Sequence, residues 1–98
     1  MDGVADALDA AADALSRAGR TLPDVAVPAE VFGADDAGRP GLLGRALHAR
    51  FDGVLAARST EAADTGARLA GIAEAVRRTA RSYDQADEAA ARRLRQVP

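Results

Sequence analysis

The segment TLPDVAVPAEVFGADDAGRPG, residues 21–41, decides how this chain is divided. It holds three of the chain's four prolines and three of its nine glycines, and helical periodicity stops within it. Its apolar side chains are Leu22, Val25, Val27, Val31 and Phe32. A flexible linker would not carry so many apolar residues, so we predict a packed connector with a short helical turn at PAEVF.

The residues before this connector predict an amphipathic helix over 2–19. Apolar residues recur there at spacings of 3 and 4, at Val4, Leu8, Ala11, Leu15 and Ala18. The same rhythm places four acids on the opposite face, at Asp2, Asp6, Asp9 and Asp13. We interpret these acids as a solvent-facing side, with the connector starting at residue 20 and Gly19 as the C-cap.

The residues after the connector predict one long helix over 42–96. An apolar stripe runs through it with an average period of 3.6 residues. Its positions are Leu43, Leu47, Phe51, Val54, Arg58, Ala62, Thr65, Leu69, Ile72, Val76, Ala80, Tyr83, Asp87, Ala90, Leu94 and Val97. The stripe is weakest between Arg58 and Gly66, where a kink or break is the alternative to a continuous helix.

These elements predict an all-α fold, a two-helix hairpin forming a single domain over residues 1–98. At a rise of 1.5 Å per residue the first helix is about 27 Å long and the second about 80 Å. The short helix therefore leaves much of the long apolar stripe in water, which monomers generally avoid. We predict that a partner completes the bundle, as a homodimer or as a heterodimer with another helical hairpin protein.

Composition argues against several classes of protein. The formal net charge is −2, which does not provide the basic field typical of nucleic-acid binding. Cysteine is absent, so we predict no disulfide framework and no thiolate metal site. No stretch reaches the roughly 20 apolar residues that a membrane span requires. The acidic N-terminus lacks the basic region of a secretory signal peptide, so we do not expect the general secretory route.

Few residues are candidates for chemistry. His48, the single histidine, has no obvious acid or nucleophile at helical spacing, and we interpret it as a solvated or interface residue. Asp35 and Asp36 lack the alternating oxygen ligands of a calcium loop and are better explained by a turn or helix cap. The glycines of GRPGLLG lack the Lys-Ser/Thr of a phosphate loop. We predict no enzyme activity, catalytic residue, metal or cofactor.

Tyr83 and Asp87 form the remaining motif. They lie at i and i+4, so they share one face of the long helix near its end. Taken alone, this spacing is common, and packing of Tyr83 at an interface would account for it.

The whole layout resembles the small helical hairpins exported by the type VII (ESX) secretion system of actinobacteria, and most closely the EspC-type proteins. The resemblance is carried by Leu22-Pro23 and Phe32-Gly33 in the connector, by LLGRAL, and by YDQAD at residues 83–87. It implies a secreted protein without a cleaved signal. It further implies that Tyr83 and Asp87 form a Tyr-x-x-x-Asp export signal for the secretion ATPase, with Phe32 and Gly33 at a turn or interface.

A second function remains open from the residues alone. The same alanine-rich stripe would also serve a cytosolic helical adaptor or small regulatory protein, whose tail would be a plain interface.

Overall fold

The computed structural model describes residues 2–97, and all of the regular structure in that range is helical. Helix α1 spans Asp2–Thr21 and helix α2 spans Gly38–Arg95, with two 3₁₀ turns, Leu22–Val25 and Ala29–Phe32, between them. The molecule measures 93 × 14 × 11 Å, and its radius of gyration is 24.9 Å. A compact chain of this length would have a radius of gyration of about 13 Å. The expectation of an all-helical chain with a short first and a long second helix is confirmed.

Helix α1 ends later than we predicted. It continues to Thr21, so Gly19 is a buried residue within the helix and not its C-cap. The hydroxyl of Thr21 donates a hydrogen bond to the carbonyl oxygen of Ala18 in the last turn. Pro23 explains the end of the helix, because a proline disfavours helical backbone in the residue before it.

Helix α2 begins at Gly38 rather than at residue 42 and ends at Arg95 rather than at 96. Pro40 therefore lies in the first turn, where the backbone N–H groups have no acceptor within the helix and proline is tolerated. The helix is continuous through Arg58–Gly66, so the alternative of a break there is wrong.

The two helices pack antiparallel through small residues. Ala5 and Ala73 are fully buried and Ala12 nearly so, and among the described residues no large side chain is fully buried. A Cβ atom added at Gly66 would lie 3.0 Å from the carbonyl oxygen of Ala12. The hydroxyl of Ser59 donates a hydrogen bond to the carbonyl oxygen of Gly19. Close approach of the two backbones, and not burial of large side chains, therefore joins α1 to α2.

On each helix, the buried residues at the contact follow residues of the predicted apolar stripe by one position. On α1, buried Ala5 follows Val4, Ala12 follows Ala11 and Gly19 follows Ala18. On α2, buried Gly44 follows Leu43, Gly66 follows Thr65 and Ala73 follows Ile72. Small residues allow the close contact. Beside it, Leu8, Leu15, Leu69 and Val76 are half-buried, whereas apolar side chains such as Val4, Leu43 and Ile72 remain exposed.

The connector folds onto the first turns of α2. Its second 3₁₀ turn, Ala29–Phe32, confirms the helical turn predicted at PAEVF. Gly33 ends this turn at φ 82°, a conformation that favours glycine. The Phe32 ring packs at centroid distances of 5.8 Å from His48 and 5.7 Å from Phe51.

One arginine of α2 holds the start of α1. The guanidinium of Arg77 lies 2.6 Å from the carboxylate of Asp9 and 2.9 Å from that of Asp6. The hydrogen bonds to Asp9 and Asp6 raise the pKa of Arg77 above its usual range. Two of the four acids on α1 therefore pair with α2, which corrects the prediction that this side of the helix only faces solvent.

Replacing Arg77 should loosen the first turns of α1. Arg77→Ala removes both ion pairs, so we expect the amide hydrogens of residues 5–9 to exchange a few-fold faster. The effect stays modest because partly exposed pairs contribute little. Arg78→Ala is the matched control, since among the described residues Arg78 pairs with Glu74 of its own helix, at 3.7 Å, and with none of α1. Equal exchange in the two variants would show that Arg77 does not hold α1.

Candidate interaction surface

One side of the molecule carries a row of exposed apolar side chains. We call it the exposed apolar face, and it consists of Val4 on α1 with Leu43, Leu47, Val54, Ile72 and Tyr83 on α2. The exposed fractions range from 47% for Leu47 to 62% for Leu43 and Tyr83. Between Val54 and Ile72 the same side carries exposed Arg58, Glu61 and Thr65, so the apolar residues form two groups. Larger exposed apolar patches of this type generally mark interaction sites.

Helix geometry explains why these residues share a side. On both helices the apolar residues precede the packed residues by one position, which is a rotation of about 100° in the same sense. Because α1 and α2 run antiparallel, that common rotation brings both sets of side chains to the same side of the pair. The opposite side carries charged residues, including Asp9 and Arg77.

Tyr83 and Asp87 lie on the part of α2 that extends past α1. Asp6 of α1 pairs with Arg77 of α2, and α1 begins about one turn before Asp6. Because the helices are antiparallel, the start of α1 therefore lies beside about residue 81 of α2. The remaining 14 residues to Arg95 form a projecting segment of about 21 Å. Both Tyr83 and Asp87 are exposed there, on the side of the exposed apolar face.

Phe32 and Gly33 lie at the other end of the molecule. Phe32 packs against Phe51, and 32 residues of continuous helix separate Phe51 from Tyr83. That length corresponds to about 48 Å, so a single chain does not bring the two predicted sites together. Phe32 is half-buried by contacts within its own chain, and Gly33 forms the turn that follows it. An interface role for this pair remains a prediction.

An open apolar depression of about 610 Å³ lies at the start of α2, lined by Arg39, Pro40, Leu42 and Leu43. It adjoins the exposed apolar face through Leu43. The connector is held beside it by a hydrogen bond of 2.8 Å from the Arg45 guanidinium to the carbonyl oxygen of Ala34. This end of the molecule is therefore a fixed surface with an apolar recess.

His48 has an acidic neighbour that the sequence analysis missed. Its Nε2 atom lies 3.4 Å from a carboxylate oxygen of Asp52, one turn further along α2. The i,i+4 spacing of the two residues was visible in the sequence and would have predicted the pair. Within residues 2–97, no group of three or more acidic or histidine side chains could hold a metal ion.

The contacts of Arg77 were not predictable in this way. Asp6 and Arg77 are 71 residues apart in the chain, and nothing in the spacing of either one identifies the other. The pairing of Ser59 with Gly19, 40 residues apart, is of the same kind.

Across the part of the chain that the structure describes, no helix has the length and apolar character needed to cross a membrane. Comparisons of the chain with protein-family models, with curated proteins and with solved structures found no match.

Proposed function

We propose that this protein is a non-enzymatic substrate or export partner of a type VII (ESX) secretion system. It pairs through the part of its exposed apolar face between Leu43 and Ile72 and is secreted without a cleaved signal. Tyr83 and Asp87 form the export signal that the secretion ATPase recognises. The proposal combines the resemblance of the sequence to EspC-type proteins with two structural observations, the surface area of the chain and the position of its tail.

The surface area supports pairing. The chain exposes 7105 Å² of accessible surface. A compact monomer of its mass would expose about 5,300 Å², so roughly 1,800 Å² is in excess. A typical stable interface buries about 800 Å² on each partner, which this excess can supply. A partner would also stabilise a chain whose buried core consists of alanines, since binding to the folded state raises stability by mass action.

The projecting end of α2 is the observation that most strongly supports the proposal. Tyr83 is 62% exposed, and Asp87, one turn later, is exposed as well. The hydrogen-bonded turns of α2 hold the two side chains in a constant relative position. A tyrosine offers a large apolar ring with a polar tip, and the acid adds a charge that a basic receptor site can bind. Such a pair on a rigid projecting helix suits recognition of a folded protein.

Export in an actinobacterial host with an active type VII system tests the signal. We expect Tyr83→Ala and Asp87→Ala each to lower the ratio of secreted to cellular protein by about tenfold, as a loss of roughly 1.4 kcal/mol in receptor binding would produce. Immunoblots of supernatant and cell fractions measure that ratio. Asp84→Ala is the matched control, because Asp84 is exposed on the same segment but lies on another face of the helix.

The outcomes separate the proposal from its alternative. Equal export of all three variants, with helical circular dichroism intact, would exclude Tyr83 and Asp87 as the signal. If the unmodified protein stays in the cytosol bound to a stable partner, the adaptor function is favoured instead.

A further inference from the structure

We infer that the first turns of α1, residues 3–11, form a cover on α2 that opens as the ionic strength rises. The opening pivots at the contact between Ala12 and Gly66 and uncovers the part of α2 that precedes Tyr83. The last turns of α1 stay packed while the cover is open. The inference goes beyond the proposed function and does not depend on export.

The two ends of the contact between α1 and α2 are held by different chemistry. At the connector end, the Ser59 hydroxyl donates a hydrogen bond to the carbonyl oxygen of Gly19, and both groups are uncharged. At the other end, the Arg77 guanidinium pairs with the carboxylates of Asp9 and Asp6. Salt screens the attraction between exposed charges and has little effect on a bond between neutral groups. The end that Arg77 holds is therefore the one that responds to ionic strength.

Few other contacts hold the cover to α2. Within residues 3–11, Ala5 is the one fully buried residue, and Leu8 is half-buried. An alanine methyl group buries little apolar area, so exposing it costs little free energy. The last turn of α1, in contrast, is followed by the connector, which packs onto α2 through Phe32. The start of α1 is therefore the part that opens most easily.

The pivot is a close approach of the two backbones. A Cβ atom added at Gly66 would lie 3.0 Å from the carbonyl oxygen of Ala12 and 2.9 Å from the hydroxyl oxygen of Ser16. Ala12 is only 4% exposed, and the groups that meet at this point carry no charge. Salt that weakens the ion pairs of Arg77 therefore leaves this contact in place.

Opening uncovers residues of α2 that lie just before the projecting segment. Ala73 is fully buried and Val76 is half-buried in the closed protein. Val76, Ala80 and Tyr83 follow one another at spacings of four and three residues, so they share one face of the helix. With the cover open, the free part of this face extends from Tyr83 back to the pivot, by about 17 residues or roughly 25 Å. The cover thus controls how long an apolar surface this end of α2 presents to a binding partner.

Amide hydrogen exchange measured by NMR at two salt concentrations tests the opening. Between about 0.01 M and about 1 M potassium chloride, the screening length falls from roughly 30 Å to roughly 3 Å. We expect the amides of residues 5–9 to exchange a few-fold faster at the high concentration, while those of residues 15–18 change little. Chloride is preferred to sulfate, because sulfate strengthens apolar burial and opposes the opening.

Arg77→Glu gives the sharpest test, because it reverses the sign of the effect. A glutamate at this position repels Asp6 and Asp9, so salt should slow the exchange of residues 5–9 instead of speeding it. Arg77→Ala should abolish the salt dependence. Arg78→Ala should retain it, since this change removes a neighbouring charge and leaves both ion pairs to α1.

The two acids should contribute unequally. The carboxylate of Asp9 lies 2.6 Å from Arg77 and is 41% exposed, whereas that of Asp6 lies 2.9 Å away and is 74% exposed. Because the less exposed pair is less screened by water, we expect Asp9→Asn to remove more of the salt dependence than Asp6→Asn.

Thiol labelling tests the uncovering directly. The chain contains no cysteine, so an introduced thiol is the only one present. Val76→Cys places a thiol beside the cover, and we expect it to react a few-fold faster at the high salt concentration. Ile72→Cys is the control, because Ile72 is 49% exposed in the closed protein and its thiol should react equally at both concentrations.

Exchange of residues 5–9 that does not depend on salt, or a salt effect of unchanged sign in Arg77→Glu, would overturn the inference. Equal acceleration of residues 5–9 and 15–18 would overturn it as well, because α1 would then leave α2 as one unit. Opening as described, in a chain whose export does not depend on Tyr83, would uphold the inference and contradict the proposed function.

Discussion

Gly66→Leu should release helix α1 from helix α2. A Cβ atom at this position would lie 2.9 Å from the Ser16 hydroxyl oxygen and 3.0 Å from the carbonyl oxygen of Ala12, and a leucine adds three more carbons. The hydroxyl can rotate away, but the Ala12 carbonyl belongs to the backbone, so α1 itself must move. Overpacking of this kind costs about 3 kcal/mol.

The helix contact has little to oppose that cost, because its buried hydrophobic residues are Ala5, Ala12 and Ala73. Once released, α1 is a 20-residue helix on its own, which is marginal in water. We therefore expect circular dichroism at 222 nm to lose about a quarter of its helical signal, since α1 and α2 contribute 20 and 58 helical residues. The remaining signal should melt at a different temperature from that of the intact chain.

Gly71→Leu is the matched control for this prediction. It makes the same change in the same helix, five residues further on, where a Cβ atom would have nothing within 4 Å. Its change in helix propensity equals that of Gly66→Leu, so the difference between the two isolates the contact with α1. If both variants melt as the unmodified protein does, the close approach at Gly66 is not needed for packing.

Gly44→Ala should displace the connector from α2. The added Cβ atom would lie 2.3 Å from the carbonyl oxygen of Phe32 and 2.8 Å from the carbonyl carbon of Gly33. Both atoms are backbone, so no side-chain rotation relieves the overlap. We expect the overlap to destabilise the protein by about 1–3 kcal/mol. Alanine is more favourable than glycine within a helix by about 1 kcal/mol, so the protein loses stability overall when the cost of the overlap lies above that value.

Gly53→Ala separates these two contributions. Gly53 lies in the same helix with nothing within 4 Å of an added Cβ atom, so this variant should only gain, by about 1 kcal/mol. Thermal unfolding measures both variants, and proton chemical shifts of the Phe32 ring report whether it still contacts His48 and Phe51. A Gly44→Ala protein as stable as Gly53→Ala, with the Phe32 shifts unchanged, would contradict the prediction.

The sequence was informative wherever the controlling interactions are close along the chain. The 3.6-residue period located both helices, and Pro23 and Pro40 mark the connector between them. The turn at Ala29–Phe32 was predicted from the proline and small residues around it. The boundaries differed by two residues at the end of α1 and by four at the start of α2. At the start of α2 the reason is Pro40, because a proline is tolerated in the first turn of a helix as well as before it.

The candidate surface was predictable only in part. The period identified the exposed apolar side chains of α2, and the i,i+4 spacing placed Tyr83 and Asp87 on one face. We expected α1 to cover part of that apolar stripe and a partner to cover the rest, whereas glycine and alanine one position further on make the contact with α1. Hydropathy favours the larger side chains as the core, and it does not register that small residues permit a closer approach.

By itself, then, the sequence determined the local structure of this protein: two helices of unequal length, and a connector with one compact turn. Each of these depends on hydrogen bonds and dihedral preferences within about four residues. Only the tertiary structure decided which faces meet, that Arg77 holds Asp6 and Asp9, and which apolar side chains beside α1 stay exposed. Those outcomes join residues 40 to 71 positions apart, and they depend on how closely two backbones approach, which periodicity along one helix does not encode.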